Sequence, residues 1–378
     1  MVLFSNFSLF TINYSLFYKT SLAISSYNTP MTTYADSGVN IEEGDKASKK
    51  AYEHASSTFA SRKGMIGEPV QEENGYAGFL DMEDYYLVQS DDSTGSKIDL
   101  AFEVGDLGTL GYDLTAMVAD DAVCVGAEPV SISNTLDVPK IDSDEVDALM
   151  GGLAKACSEQ KIVVPAGEIA EVPGAVSKGV WSATVIGVVE KDKVLKPETI
   201  EEDDVILTLK SGVARSNGFS LIRKILTDKF GDDWGNQELT KTMLTPSIVY
   251  SKAILGLIGR YKEERKVNIK GIAHITGGGI PSKLGRVLKP SGKGAELTDL
   301  FEPHNALKEL IELGEVPTEE AYKTWNMGNG MMLVVSPDEV DKATTLLKAE
   351  GVDAKKAGLI TADQGVHISA YVGDKLKF

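Results

Sequence analysis

The sequence predicts a two-domain chain of mixed α+β or α/β layers, and three observations carry that prediction. A length of 378 residues suits about two domains of 100–200 residues. Strand-like runs alternate with stretches of helical periodicity in both halves. A charged break, Lys191-Asp192-Lys193 followed by the acidic run 198–204, separates the halves and puts the boundary near residue 195. With 42% apolar and 25% charged residues, the composition is that of a folded globular chain and excludes disorder or fibre.

The elements are read in chain order. Residues 1–30 hold no Asp or Glu and a single Lys, and the composition changes abruptly at Met31. They are expected to be an extension outside the domains, either disordered or a mis-assigned start, and they lack the ~20 apolar residues of a membrane span. Tyr85–Val88 is β-prone and gives way to small and acidic residues from Ser90 to Lys97, which predicts a strand running into a loop. From Leu110 to Val125, apolar residues recur at helical spacing, with Asp113, Asp120 and Asp121 within the helix and Gly126 at its C-terminal cap. A second helix is expected over 144–159 with Ser143 as N-cap and Cys157 in its buried stripe. Strands follow at Ile162–Val164 and Val180–Val189.

In the second half, Val205–Leu209 predicts a strand, Gly218–Phe230 and Pro246–Tyr261 predict helices, and Met331–Val335 a buried strand. Ser336-Pro337-Asp338-Glu339 supplies an N-cap, a proline at the first helical position and a capping-box Glu, with Gly351 to close the helix.

Charge narrows the partners. Thirty-eight basic against fifty-six acidic side chains leave −18, a field that repels nucleic acid and anionic lipid. Any phosphate must then be held locally, by backbone N–H groups, a few cations or a metal. Two cysteines, Cys124 and Cys157, make no disulfide framework or zinc pattern, so a reducing cytoplasm is expected. Four scattered histidines do not form a metal cluster.

Asp92, Asp121, Glu168 and Glu171 stand beside small residues at loop-like places in three separate segments. If the fold gathers them, a divalent cation must neutralise them, and hard oxygen ligands suit Mg²⁺ with phosphates. The alternative is that each simply faces water. Ser90–Lys97 has the small residues of a phosphate loop without the GxxxxGK[ST] order. Gly167–Gly174 holds two acids between glycine and Pro-Gly, and its plain reading is a turn after a strand. Ser216 or Asn217 can cap the helix after Gly218. Gly277, Gly278 and Gly279 precede Ile280–Leu288 and let backbone approach an anion at a helix N-terminus. Asn326–Gly330 reads as a tight turn.

Taken in order, these segments resemble the aminoimidazole ribonucleotide synthetase (phosphoribosylformylglycinamidine cyclo-ligase) family. Tyr34-Ala35-Asp36-Ser37-Gly38-Val39-Asn40-Ile41 looks like that family's Y-x-D-A-G-V-D-I opening. Gly126-Ala127-Glu128-Pro129, Gly167-Glu168, Ser216-Asn217-Gly218, His274 with Thr276–Gly279, and Asn326 with Gly328 follow at the family's order and spacing. The resemblance implies ATP-dependent closure of formylglycinamidine ribonucleotide, in which the amide oxygen is phosphorylated, a nitrogen attacks and phosphate leaves. It further implies a homodimer whose N-terminal domains (31–195, binding ATP and dimerising) share a β-barrel, with C-terminal α/β domains (196–378) outside. Catalytic roles fall to Lys97, Arg215 and Asn217. ATP would be held by Asp92, Gly95, Lys97, Asp121, Glu168, Gly277, Gly278 and Gly279, and Mg²⁺ by Asp92, Asp121 and Glu168.

This chain departs from the family pattern at several positions. Ser93 replaces a glycine of D-G-V-G-T-K, Asp120-Asp121 stands for N-D, Ser133-Asn134-Thr135 for L-D-Y, and Arg215 for the His before S-N-G. Arginine keeps a donor and a permanent charge but takes no proton, which excludes general-base use of that position and leaves phosphate stabilisation open. Two alternatives stand beside ring closure: another ATP-dependent member of the superfamily, and a non-catalytic nucleotide-binding paralogue.

Overall fold

A computed structural model describes residues 33, 37–38, 41–70 and 75–378. The expected extension 1–30, and the opening motif apart from Ser37, Gly38 and Ile41, lie outside the described residues.

Two sheets, each layered with helices, form the frame. After helix α1 (Ile41–Ser56), the first sheet takes strands β1 (Glu68–Val70), β2 (Gly78–Asp81), β3 (Tyr85–Ser93), β4 (Glu128–Val138), β5 (Val163–Glu171) and β6 (Val180–Glu190). Their spatial order is β1-β2-β3-β6-β4-β5, antiparallel except for β4 with β5. The sheet is open within the single chain, with no barrel closure among the described residues. Helices α2 (Lys97–Val104), α3 (Leu110–Cys124) and α4 (Ser143–Gln160) belong to this half.

The second sheet comprises β7 (Val205–Lys210), β8 (Ile269–His274), β9 (Gly294–Leu297), β10 (Asn329–Val335), β11 (Ala354–Thr361), β12 (Gly365–Ser369) and β13 (Lys375–Lys377), ordered β13-β12-β9-β11-β7-β10-β8. Its helices are α5 (Phe219–Phe230), α6 (Glu238–Met243), α7 (Ser251–Ile258), α8 (Gly279–Leu288), α9 (Asn305–Leu313), α10 (Thr318–Thr324) and α11 (Val340–Ala349). β7 and β10 are buried almost throughout, as their largely apolar runs require of strands covered on both faces, with Thr208 satisfied by Asn329 Oδ1.

Helix α3 joins the halves. It is apolar nearly all round, with Leu114, Val118, Ala122 and Val123 fully buried, because it packs on β3, β4 and β6 on one side and on β8 and α7 on the other. Asp113 and Asp120, two turns apart, lie on one side of it and point their carboxylates at second-half loops.

Several local expectations change. β3 runs on to Ser93 because it pairs with β6 as far as Ser93 against Ser182, so Asp92 sits on a strand and the expected loop shrinks to the turn before Lys97. β5 likewise continues through Glu171 by pairing with β4, which places Glu168 and Glu171 on a strand instead of in a turn. Asp142, not Ser143, caps α4, its carboxylate accepting from the N–H groups of Asp144 and Glu145. Neither Ser216 nor Asn217 caps α5; Gly218 does, at φ +75° and without a side-chain bond. Residues 246–250 stay non-helical, and α7 starts at Ser251.

Candidate active site

The site grows from the seam that α3 bridges. Asp121, on α3, has its Oδ2 3.2 Å from the Ser90 hydroxyl of β3, and its Oδ1 lies 2.7 Å from His274 Nδ1 at the end of β8. His274 Nε2 lies 2.8 Å from an Arg215 guanidinium nitrogen, and the same nitrogen donates to Asp120 Oδ2 at 2.8 Å. A chain Asp120, Arg215, His274, Asp121, Ser90 thus crosses the seam. Arg215 also donates to the Ile248 carbonyl at 3.1 Å and lies over the Tyr250 ring.

Burial sets the protonation of this chain. Asp121 is pushed up to about 7, chiefly by desolvation. Asp92 is pushed up to about 6, again by burial first and with the Asp121 charge adding to it. His274 is held well below its ordinary value by burial and then by the Arg215 charge, so it is neutral. Lys283, one turn into α8, acts on both Asp92 and Asp121 and is itself lowered by burial and by Arg286. Tyr76 closes this end: its hydroxyl accepts from the His274 N–H at 3.3 Å, and Arg286 lies over its ring.

Asp92 also lines a polar groove of about 410 Å³ on the first sheet, shared with Asp91, Ser133, Thr135, Ser182 and Thr184. Across the seam, the glycine turns meet. Helices α5 and α8 begin at Gly218 and Gly278, both at positive φ and both without a side-chain cap, so neither first turn has its N–H groups filled by a capping side chain. Gly277 comes against the Asn217 side-chain amide. Gly279, at φ +61°, packs so tightly on the Tyr322 carbonyl that no Cβ fits. Around these turns Asn217 Oδ1, Thr324 Oγ1 and Trp325 Nε1 are buried without a hydrogen-bond partner. Orphaned polar atoms beside two open helix N-termini suit a polar, anionic ligand.

The expected residues divide. Asp92 and Asp121 come together, and so do Arg215, Asn217 and the Gly277, Gly278, Gly279 turn around the seam. Glu168 does not join them: it is exposed on the edge strand β5, in register with Thr135, and among the described residues no three His, Cys, Asp or Glu side chains gather as a metal group. Lys97 is also not where a phosphate contact requires it. Its ammonium is fully buried and gives its donors to Asp113 Oδ1 (2.8 Å), the Thr245 carbonyl (2.9 Å) and the Arg215 carbonyl (3.2 Å). All three N–H bonds are used inside the protein, which leaves none for a ligand. Gly95, at φ +54°, turns the chain into α2 where the adjoining Ser96 hydroxyl meets that of Ser220, 3.0 Å away.

Tyr76, Asp120, Lys283, Arg286, Thr324 and Trp325 were not expected. Lys283 and Arg286 follow the glycine turn by one and two helical turns, a spacing that could have marked them. Nothing local marks Tyr76 or Trp325.

The two sheets joined by a bridging helix, with an acid-base chain at the seam and glycine turns beside it, define the class. Family models described as "AIR synthase related protein, N-terminal domain" and "AIR synthase related protein, C-terminal domain" match residues 74–189 and 201–370. Solved structures share the fold: the hydrogenase maturation protein HypE in complex with ATP has a TM-score of 0.57 at 16% identity, covering 77% of this chain and 84% of that one. AaThiL complexed with AMPPCP and TMP has 0.55 at 15% identity, covering 80% and 91%. Phosphoribosylformylglycinamidine cyclo-ligase of Thermococcus kodakarensis is 34% identical over 90% of this chain and 99% of its own length, and that of Clostridium perfringens 34% identical over 88% and 98%. The chain belongs to the phosphoribosylformylglycinamidine cyclo-ligase family.

Proposed function

We propose that this protein closes the imidazole ring of aminoimidazole ribonucleotide in purine biosynthesis, using ATP to phosphorylate the amide oxygen of formylglycinamidine ribonucleotide. The observation that carries the reading is the pair Asp92 and Asp121, two buried carboxyls pushed up to about 6 and about 7, each within reach of the Lys283 charge on α8. Burial favours the neutral form of both carboxyls, and a bound cation would favour the charged form. Two carboxylates with the remaining ligands from phosphates and water fit the habit of Mg²⁺, so Asp92 and Asp121 would hold it. When bound, Mg²⁺ supplies charge neutralisation for the transferred phosphoryl group.

The chain's own residues then bind and orient. The N-termini of α5 and α8 with Asn217 grip a phosphate, and Lys283 offsets negative charge. Phosphorylation makes the amide oxygen a leaving group; the substrate nitrogen attacks the same carbon and phosphate departs. No protein nucleophile is needed, and positioning does most of the work.

The domain division at 31–195 and 196–378 belongs to this reading, as does a homodimer. β5 is an edge strand with Val163 and Ile169 exposed, a surface suited to a second copy, and a barrel closed across two chains would cover it. A cytoplasmic location accords with Cys124 and Cys157 being free and buried. Among the described residues no helix is long and apolar enough to cross a membrane.

The test is ADP release by the purified chain given ATP, Mg²⁺ and formylglycinamidine ribonucleotide. Release that depends on that substrate supports ring closure. Nucleotide binding without turnover would sink it in favour of a non-catalytic paralogue.

A further inference from the structure

Arg215 and Asp120 meet across the seam in one 2.8 Å ion pair, with side chains 1% and 0% exposed, and each charge is cancelled by the other. The pair is held on both sides: Asp120 Oδ1 accepts from the Tyr250 N–H and the Ser251 hydroxyl, each at 2.9 Å, and Arg215 donates onward to the Ile248 carbonyl.

The consequence lies at His274. A guanidinium has donors only, so at its 2.8 Å contact with His274 Nε2 the imidazole nitrogen must be the acceptor. An imidazole whose Nε2 lone pair is engaged carries its proton on Nδ1, and Nδ1 faces Asp121 Oδ1 at 2.7 Å. The other Asp121 oxygen meets Ser90 at 3.2 Å. One carboxylate oxygen is thus oriented by the His274 Nδ1–H, and the single Ser90 proton is shared between the other and the Tyr76 carbonyl at 3.1 Å.

We propose that Arg215, pinned by Asp120, is a positioning residue: it fixes His274 as the neutral Nδ1–H tautomer, and His274 in turn fixes the direction in which Asp121 presents its carboxylate. The kinetic consequence rests on reading Asp121 as part of the Mg²⁺-ATP site. Arg215 touches no reacting atom; it acts through His274.

The experiment uses the full chain labelled with ¹⁵N at histidine. In the parent protein His274 shows the shifts of a neutral Nδ1–H imidazole. Arg215→Met alone strands the buried Asp120 charge and is expected to destabilise the chain strongly, so the informative variant is Asp120→Asn with Arg215→Met, which removes both charges. There His274 becomes a mixture of tautomers, and KM for Mg²⁺-ATP rises about tenfold while kcat falls less than threefold. Arg215→Lys, which still reaches both partners with a donor, retains the parent ¹⁵N signature and most of the affinity. A double variant with unchanged His274 shifts overturns the proposal; altered shifts with unchanged KM and kcat overturn the Mg²⁺-ATP reading of Asp121. Asp121→Asn with an unchanged KM for Mg²⁺-ATP would strike at the nucleotide-site reading alone; the ¹⁵N signature would still decide the role of Arg215.

Discussion

Replacing Lys97 by methionine separates a structural ammonium from a phosphate ligand. Methionine keeps the length and apolar stem of lysine, so the Phe219 ring, 5.2 Å from the ammonium, keeps a neighbour. What disappears is the positive charge. Asp113 Oδ1 would still accept from Ser216 (3.2 Å) and from the Ser247 N–H (3.0 Å) and hydroxyl (2.5 Å), whereas Oδ2 is already buried without a partner. The Thr245 and Arg215 carbonyls lose their donor as well. Breaking one side of a buried pair destabilises by about 3–5 kcal/mol. At about 2–4 °C per kcal/mol for chains of this class, Tm falls by about 6–20 °C. Thermal unfolding by circular dichroism reads the shift, and KM for Mg²⁺-ATP is measured well below the lowered Tm. A Tm within about 2 °C of the parent combined with an about tenfold higher KM would mean that the ammonium meets phosphate instead of the buried pair.

Other expectations concern the acids, the glycine turn and the edge strand. Asp92→Asn and Asp121→Asn each raise KM for Mg²⁺-ATP by about tenfold or more while moving Tm by only a few degrees, since polar seam positions contribute little to the core; unchanged turnover in both removes the metal assignment. In metal-free protein, Asp121 near 7 and Asp92 near 6 bind protons more tightly folded than unfolded. Their contribution to stability is therefore full below the unfolded value of about 3.9 and is lost as pH rises through 6 and 7. Urea midpoints between pH 5 and 8 should show a fall that Asp121→Asn flattens, and an identical slope in the variant contradicts the raised value. Gly279→Ala forces a Cβ onto the Tyr322 carbonyl at positive φ and should lower stability by about 1–3 kcal/mol, with phosphate affinity falling alongside; parent-like melting and binding argue against the tight turn. Ile169→Asp on β5 should convert a dimer into a monomer in sedimentation velocity, whereas a parent protein that is itself monomeric ends the dimer reading.

Much of the frame was legible in the sequence because it depends on local periodicity. The apolar spacing of α3, the β-branched run of β6 and the largely apolar runs of β7 and β10 each announce their element within a dozen residues. Where a neighbour decided, local reading fell short. Nothing in Ser90–Ser93 says strand; pairing with β6 makes it one. Glu168 looked like a partner of Asp92 because both stand beside small residues, yet β5 carries it along the sheet edge, away from the seam.

The residue types available to the site were thus settled by the chain itself: acids on a helix buried nearly all round, glycines where two helices begin, and one arginine in place of a proton carrier. Which of them meet was settled by the seam. Charge and burial belong to pairs of segments far apart in the chain, 95 residues for Arg215 with Asp120 and 153 for Asp121 with His274. Lys97 is the clearest case, since a lysine after a glycine reads as a phosphate ligand until Asp113 on α3 and two carbonyls of the second half take every proton it can donate.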